Sequence, residues 1–402
     1  TQITTGLPGN GRYVIGVTPA NPNYVYIVSG DYIGFVGCYR STNSGLSFST
    51  QSTSPNILGY STTGSDNSSQ AWYDLAIAID PSNANTVYVG GINTWKSTNG
   101  GASWSLNSHW VGNGGVPAVH ADIHSLDFSP VNSRLYSGND GGIHYTSNGG
   151  ISWNEISSDL AIAQVYKLGQ SASQQNLIIN GYQDNGTSLY SNGNWTTQIG
   201  GDGMECIIDP SNTNYIYGEL YYGDIRRSVS GGVYNQIAGN SVNGITESGA
   251  WVTPYILDVN NSNHMIAGYK NLWRSTNVKT ASAGSVSWSK LTNNLGGTNS
   301  QNIEIIEQSE ADDNILYFYR EDNKLFRSDN FKNVYPSFTD ISSNLPYSQP
   351  YSFGSDIEAD PANSNIVYMT YYQDVYKSTN KGVSWTDISG NLPSISMNCI
   401  VY

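Results

Sequence analysis

The sequence predicts an all-β chain, a β-propeller of four-stranded antiparallel blades, and three observations carry that expectation. A short polar turn motif recurs eight times along 402 residues, at spacings of roughly 40 to 55 residues, the length of one four-stranded blade. A second phrase, an apolar run ending in Asp-Pro-x-Asn and followed by β-branched and aromatic residues, precedes the turn motif in several units. No stretch shows the 3.6-residue periodicity of an amphipathic helix.

The turn motif is clearest in YRSTNSGLSF (39–48), WKSTNGGASW (95–104), HYTSNGGISW (144–153) and VYKSTNKGVSW (375–385). Looser copies are LYSNGNW (189–195), RRSVSGGVY (226–234), LWRSTN before VSW (272–288) and LFRSDN before YPSF (325–338). A short Asn side chain can hold such a turn by bonding nearby amides, glycine takes the positive φ, and the aromatic packs between sheets. The Asp-Pro-x-Asn phrase appears as AIDPSNANTVYVGG (78–91), IIDPSNTNYIYGE (207–219) and EADPANSNIVYMT (358–370). Each unit therefore reads as strand A, the Asp-Pro-x-Asn turn, strand B, a variable loop, strand C, the Asn-Gly turn and strand D.

The units fall at about 11–52, 70–108, 119–157, 163–200, 201–240, 249–293, 301–343 and 351–390. Residues 3–15 (ITTGLPGNGRYVI) resemble the passage from strand D to strand A at 388–402, and 395–402 read as the first strand of a further blade. Eight complete units plus two partial ones suggest a window of a larger protein.

Composition narrows the function classes. Charged residues are 12% of the chain and the net charge is −14, so no basic surface exists to neutralise nucleic-acid phosphate. No apolar stretch approaches the roughly 18 residues that cross a bilayer as a helix. Cys38, Cys206 and Cys399 are widely spaced, which signals neither a zinc site nor a disulfide framework; all three are expected to be buried free thiols. The chain opens TQITTGLP without a basic and apolar leader, so a signal peptide is expected to be removed or to lie outside this sequence.

Strand direction alternates in an antiparallel meander, so A–B and C–D turns leave one end of a sheet and B–C and D–A loops leave the other. The Asn-Gly turns occupy the first end. The second end gathers unrepeated polar residues in units 3 to 5: His120, Asp122 and His124 at the start of strand A, Asn139 and Asp140 in NDGG, Gln164, then Gln183, Asp184 and Asn185 in QDNG, and Asp202 in GDG. Isolated members at equivalent places are Asp31, Asp74, Asp224, Asp356 and Asp374, with Tyr182, Tyr221, Tyr222, Tyr371 and Tyr372 as stacking surfaces for sugar rings or side chains. Read as one strand, His120, Asp122 and His124 share a side and span about 13 Å. At most two of them can then ligate one metal together, with Asp140 or Asp202, and no metal site is assigned. The Asp/Asn-rich B–C loops are suited to structural calcium.

The segment DIHSLDFSPVNSRLYSGNDGGIHYTSNGGISW, with AQVYKLG, GYQDNGT and GGDGMECIIDP, resembles secreted Bacteroidota proteins of the sortilin-like, Asp-box (BNR) propeller superfamily, closely over about 120–210 and at blade level throughout. The turn motif is similar to the Asp-box with Asn in the usual Asp position. The resemblance implies a secreted or cell-surface protein, exported by the type IX secretion machinery, that binds glycan, peptide or a partner protein. The superfamily includes xyloglucanase-type glycosidases with a catalytic Asp in a D-x-G-G loop. Asp140 matches that loop, and Asp31 in GDYIGF is similar to a loop of those enzymes' partner propeller.

Two readings follow. In the first, the B–C and D–A face of units 3 to 5 binds a glycan or protein without chemistry. In the second, the chain is an inverting glycosidase whose Asp140 and a second carboxylate, Asp31, Asp184 or Asp202, stand roughly 6.5–9.5 Å apart to admit a water. Sialidase chemistry is disfavoured, because Arg226-Arg227 is the only tight basic pair.

Overall fold

The computed structural model describes residues 6–9, 11–293, 295, 301–346 and 354–402. They form eight four-stranded antiparallel sheets, each a simple meander in which strand order follows chain order. This is the all-β architecture of propeller blades. Among the described residues the only helical pieces are two single 3-10 turns, Ala283–Ser285 and Ser342–Asn344, and no helix is long and apolar enough to cross a membrane.

The chain divides into two compact units, residues 1–162 and 163–402. The first holds three sheets. Their strands are Arg12–Val17, Val25–Gly30, Phe35–Ser41 and Ser49–Ser52; Ala76–Ile79, Val87–Gly90, Thr94–Ser97 and Ser105–Ser108; and Ile123–Phe128, Leu135–Asn139, Gly142–Thr146 and Asn154–Glu155. The second unit holds five sheets, over 165–199, 203–236, 255–290, 303–340 and 354–387. Within the first unit the three A strands adjoin in sequence, and in the second the A strands of the sixth, seventh and eighth sheets do the same.

The recurring turns do the work their composition implies. In the first sheet Asn43 Oδ1 accepts the Ser47 amide at 3.0 Å and Ser41 Oγ accepts the Gly45 amide at 2.9 Å. The same pair of bonds recurs at Asn99, Asn148 and Asn380. The motif's aromatic reaches the preceding sheet, as when Trp104 Nε1 donates to Ser52 Oγ at 2.9 Å. Sheet faces then close on each other through β-branched and aromatic residues, with Tyr26, Val28, Val87 and Val89 fully buried in the core of the first unit.

Two expectations change, and a third falls outside the described residues. Residues 395–402 form no strand: the Met397 amide donates to Tyr372 O and the Ile400 amide to Asp356 Oδ2, so no ladder forms there. Residues 1–5 and 10, read as part of a partial opening unit, lie outside the described residues. Cys38 and Cys206 are buried free thiols, but Cys399 is exposed. Burial pushes the Cys38 thiol up to about 12.

Candidate functional site

The B–C and D–A end of the first unit assembles a carboxyl cluster from three separate turns. The first is 70–74, which leads into strand A of the second sheet. The amides of Tyr73 and Asp74 both bond to Gln70 O, at 2.7 and 2.9 Å, closing the turn. Arg12 Nη1 caps its outward carbonyls, reaching Tyr73 O at 2.8 Å and Ala71 O at 3.3 Å. Gln70, Tyr73 and Asp74 thereby belong to a single closed turn.

The second turn, 120–122, leads into strand A of the third sheet, and it departs from the sequence reading. His120, Asp122 and His124 do not share one strand, because the strand begins at Ile123 and Asp122 takes a left-handed φ of 61°. Alternation along a strand therefore cannot place these three side chains. A β-bulge follows: Ser125 pairs with Gly138 and Ile123 with Asn139, which leaves His124 without a cross-strand partner. Bulges re-aim a side chain at a sheet rim, and here His124 Nε2 meets Asp140 Oδ1 at 2.8 Å.

The third turn is the B–C loop carrying Asp140. Asn139 Oδ1 accepts the Gly141 amide at 3.1 Å, and its amide group bonds His144 Nδ1 at 3.2 Å. Gly141 is obligatory here for space, because a Cβ would lie 2.4 Å from the His120 ring. Gly142 sits at φ 124°, and a Cβ there would strike Ser157 Oγ, which caps the Ile143 amide.

Together these turns bring Asp74, Asp122 and Asp140 close enough for the charges of Asp122 and Asp140 to act on Asp74. Asp122 and Asp140 offer carboxylate oxygens within 4.8 Å of one another. Asp122 Oδ1 accepts from Gln70 Nε2 at 2.9 Å, and Asp140 Oδ2 accepts from the Tyr73 hydroxyl at 2.7 Å. Asp74 is 1% exposed, and its Oδ2 meets no donor. Burial first, then the neighbouring Asp122 and Asp140 charges, lift the Asp74 carboxyl to about 8. A carboxyl that keeps its proton at neutral pH donates to Asp122 instead of repelling it. Burial and the Asp140 charge also raise Asp122, against the opposing pull of His120, Gln70 and His124.

An aromatic surface borders the cluster. Tyr32 and Trp72 are exposed and stack with centroids 6.4 Å apart at 25°. Trp72 then contacts Tyr73 at 5.6 Å, and the Tyr73 ring meets His124 edge-on at 4.7 Å. Asp31 serves this surface through its side chain: its Oδ1 accepts the Ile33 and Gly34 amides at 2.8 and 3.0 Å, which shapes the loop that presents Tyr32.

The sequence-derived set thus divides between the units. His120, Asp122, His124, Asn139 and Asp140 belong to the first. In the second, Asp202 Oδ1 accepts the Asp184 amide at 2.9 Å, the Gln183 amide donates to Gln164 O at 3.0 Å, and Asn185 Nδ2 donates to Gln183 O at 3.0 Å. The Asp184–Asp202 bond ties the B–C loop of the fourth sheet to the entry of the fifth, and the Gln183–Gln164 bond ties that loop to the entry of its own sheet. Gln70, Tyr73 and Trp72 escaped the sequence reading, although Gln70 stands before strand A of its unit, the same position that singled out Gln164. Of the proposed stacking tyrosines, Tyr371 is buried in the core, whereas Tyr221 lies parallel to Trp251 at 5.2 Å.

No family model matches the sequence, and no curated protein does. Among solved structures, similar chains include the GH74 xyloglucanase from Xanthomonas campestris, at 15% identity over 93% of this chain and 72% of that one, with a TM-score of 0.30. A GH74 enzyme from Niastella koreensis shows 18% identity over 93% and 71%, with a TM-score of 0.29. The extracellular domain of a protein described as a one-component system from B. thetaiotaomicron shows 11% identity over 100% and 68%, with a TM-score of 0.38.

Proposed function

We propose that this chain binds carbohydrate outside the cell, through the B–C and D–A end of its first unit. The observation that carries the reading is the continuous run from the exposed Tyr32–Trp72 stack, through Tyr73 and His124, to the Asp140 carboxylate. Sugar rings present an apolar face to an aromatic ring and hydroxyls at their rim, so a flat aromatic surface beside fixed acceptors matches both needs. The acceptors are pre-oriented: Asp140 is held by Tyr73 and His124, and Asp122 by Gln70. The acidic, lysine-poor composition also suits a neutral ligand better than an anionic one. The extracellular setting rests on the resemblance to secreted propeller proteins.

Hydrolysis is the second reading, and one observation favours it: Asp74, lifted to about 8, holds a proton beside carboxylates that face the same cluster. Paired carboxyls in opposite protonation states are the raw material of acid–base catalysis. The pair Asp122 and Asp140, within 4.8 Å, is closer than the roughly 6.5–9.5 Å an inverting reaction needs to admit water. Asp140 acting with another carboxylate would be required for that stereochemistry.

Affinity electrophoresis and reducing-sugar release on xyloglucan, mixed-linkage β-glucan and mucin oligosaccharides test both readings with Asp140→Asn and Trp72→Ala. Binding predicts retention by the native chain, weakened in both variants, with no sugar released. Release of reducing ends that stops in Asp140→Asn establishes hydrolysis instead. Absence of retention and of release on every polysaccharide overturns the carbohydrate reading.

A further inference from the structure

The second unit carries an exposed aromatic surface of its own, built from two loops of different sheets. Tyr221 and Tyr222 stand in the B–C loop of the fifth sheet, between strands Tyr215–Leu220 and Asp224–Val229, and Trp251 stands in the D–A loop that enters the sixth sheet at Tyr255. The three rings are 38%, 50% and 39% exposed. Tyr221 lies parallel to Trp251 with centroids 5.2 Å apart at 5°, and Tyr222 meets Trp251 edge-on at 5.1 Å. The backbone beneath them is fixed. The Tyr222 amide donates to Trp251 O at 3.3 Å and the Gly249 amide to Tyr222 O at 3.2 Å. The fully buried Glu219 carboxylate accepts one amide from each loop, Gly223 at 2.9 Å and Thr253 at 3.0 Å. Trp251 is held by its ring as well, since Nε1 donates at 3.3 Å to the hydroxyl of Tyr166 on strand A of the fourth sheet. A ligand that packs on rings already ordered does not have to order them.

A cavity of about 450 Å³ opens beside these rings, inside the roughly 300–1,000 Å³ range of small-ligand sites. Strand D of the fourth sheet lines it with Thr197 and Gln198, and the fifth sheet and its C–D turn with Leu220, Arg226 and Tyr234. Leu220 precedes Tyr221, and the two side chains flank Gly201, where a Cβ would lie 2.9 Å from Leu220 Cδ1 and 3.8 Å from Tyr221 Cε1. Tyr221 is also close enough to Arg226 for their charges to interact. Among the described residues that line the cavity Arg226 alone is charged, and Asp224 matches that charge, accepting from Nε at 3.1 Å and from Nη2 at 2.7 Å. Arg226 Nη1 bonds to no protein atom among the described residues. We propose that this surface and cavity form a second carbohydrate site, wholly within the second unit, for a short neutral oligosaccharide. Tyr221 and Trp251 supply the plane on which the apolar face of a sugar ring packs, while Arg226 Nη1 and the Asp224 carboxylate offer donors and acceptors to its hydroxyls. An anionic ligand would have to displace Asp224 from a bidentate pair. The ligand class rests on the reading above, but the residues do not, so each site can fail without the other.

The test is affinity electrophoresis on xyloglucan and mixed-linkage β-glucan of the full chain carrying Trp72→Ala, in which the first-unit surface is disabled. Trp251→Ala and Arg226→Lys are then added singly; the latter keeps a charge beside Asp224 and loses the planar guanidinium fork. Circular dichroism and melting curves check that each chain folds. The expected result is residual retention with Trp72→Ala that falls about 3- to 10-fold further with Trp251→Ala and falls also with Arg226→Lys, with oligogalacturonate competing no better than neutral cello-oligosaccharide. Loss of all retention with Trp72→Ala alone, or residual retention that neither addition weakens, overturns the second site and leaves the first. Retention at native strength with Trp72→Ala that Trp251→Ala then weakens keeps the second site and removes the first. Preference for oligogalacturonate overturns the proposal, as does capture of a proline-rich peptide, another ligand of aromatic grooves, with no sugar retained. Absence of retention in the native chain overturns both sites.

Discussion

Replacing Asp74 by Asn should make the protein more stable, and increasingly so as the pH rises from about 4 to 8. The folded chain lifts the Asp74 carboxyl from 3.8 to about 8, mainly by burial and then by the charges of Asp122 and Asp140. In this window the unfolded chain releases a proton that the folded chain keeps. Stability therefore falls with rising pH wherever the native state binds the extra proton, by about 1.4 kcal/mol per pH unit. Over some four units the native chain loses on the order of 5 kcal/mol that Asp74→Asn does not lose, an upper figure because neighbouring groups readjust. Below pH about 4 both chains are neutral at this position and should melt alike, apart from a constant offset. Carboxylates remote from Asp74 cancel in the difference. The assay is thermal and urea unfolding of both chains in chelator at pH 4, 5, 6, 7 and 8. A difference that stays flat across this range, or an Asn variant that loses ground as pH rises, would refute the account of Asp74 as a carboxyl kept neutral by its surroundings.

Further perturbations have equally direct readouts. Trp72→Ala removes one partner of the exposed stack without touching the core, and should weaken polysaccharide retention by about 3- to 10-fold while leaving the melting curve within a degree or two. Gly141→Ala places a methyl group 2.4 Å from the His120 ring, and either the ring or the loop must move; a loss of about 1–3 kcal/mol by chemical denaturation is expected. Asn99→Ala deletes the acceptor that holds the Ser103 amide in the Asn-Gly turn of the second sheet, at a cost of about 1–2 kcal/mol, with retention of sugar unchanged. Arg12→Ala frees the carbonyls of Ala71 and Tyr73; retention should drop even where far-ultraviolet circular dichroism does not change.

Repetition made the sheets legible. Each copy of the Asn-Gly turn is closed by contacts within a few residues, such as Asn148 Oδ1 with the Ser152 amide, so its geometry follows from local sequence. The same holds for the Asp-Pro-x-Asn turns, where Asp209 Oδ1 takes the Ser211 amide at 2.8 Å. Antiparallel alternation then put Asp140 at the opposite end from those turns without any tertiary information. The error at His120, Asp122 and His124 arose where local rules stop: the left-handed Asp122 and the bulge at His124 are imposed by the junction with the second sheet, whose Gly91 O takes the Ile123 amide. Asp31 shows the converse, a carboxylate whose motif suggested chemistry and whose bonds are spent on its own loop.

The sequence by itself determined the strand order, the turn chemistry and the end of each sheet from which Asp74, Asp122 and Asp140 emerge, because those properties depend on residues adjacent in the chain and on a strict two-residue alternation. Only tertiary structure decided that the charges of Asp122 and Asp140 act on Asp74, that Gln70 and Tyr73 hold two of these carboxyls, and that Asp74 is buried enough to keep its proton. Their encounter joins turns up to 66 positions apart, and burial is a property of everything packed around a group, which no single stretch of chain encodes.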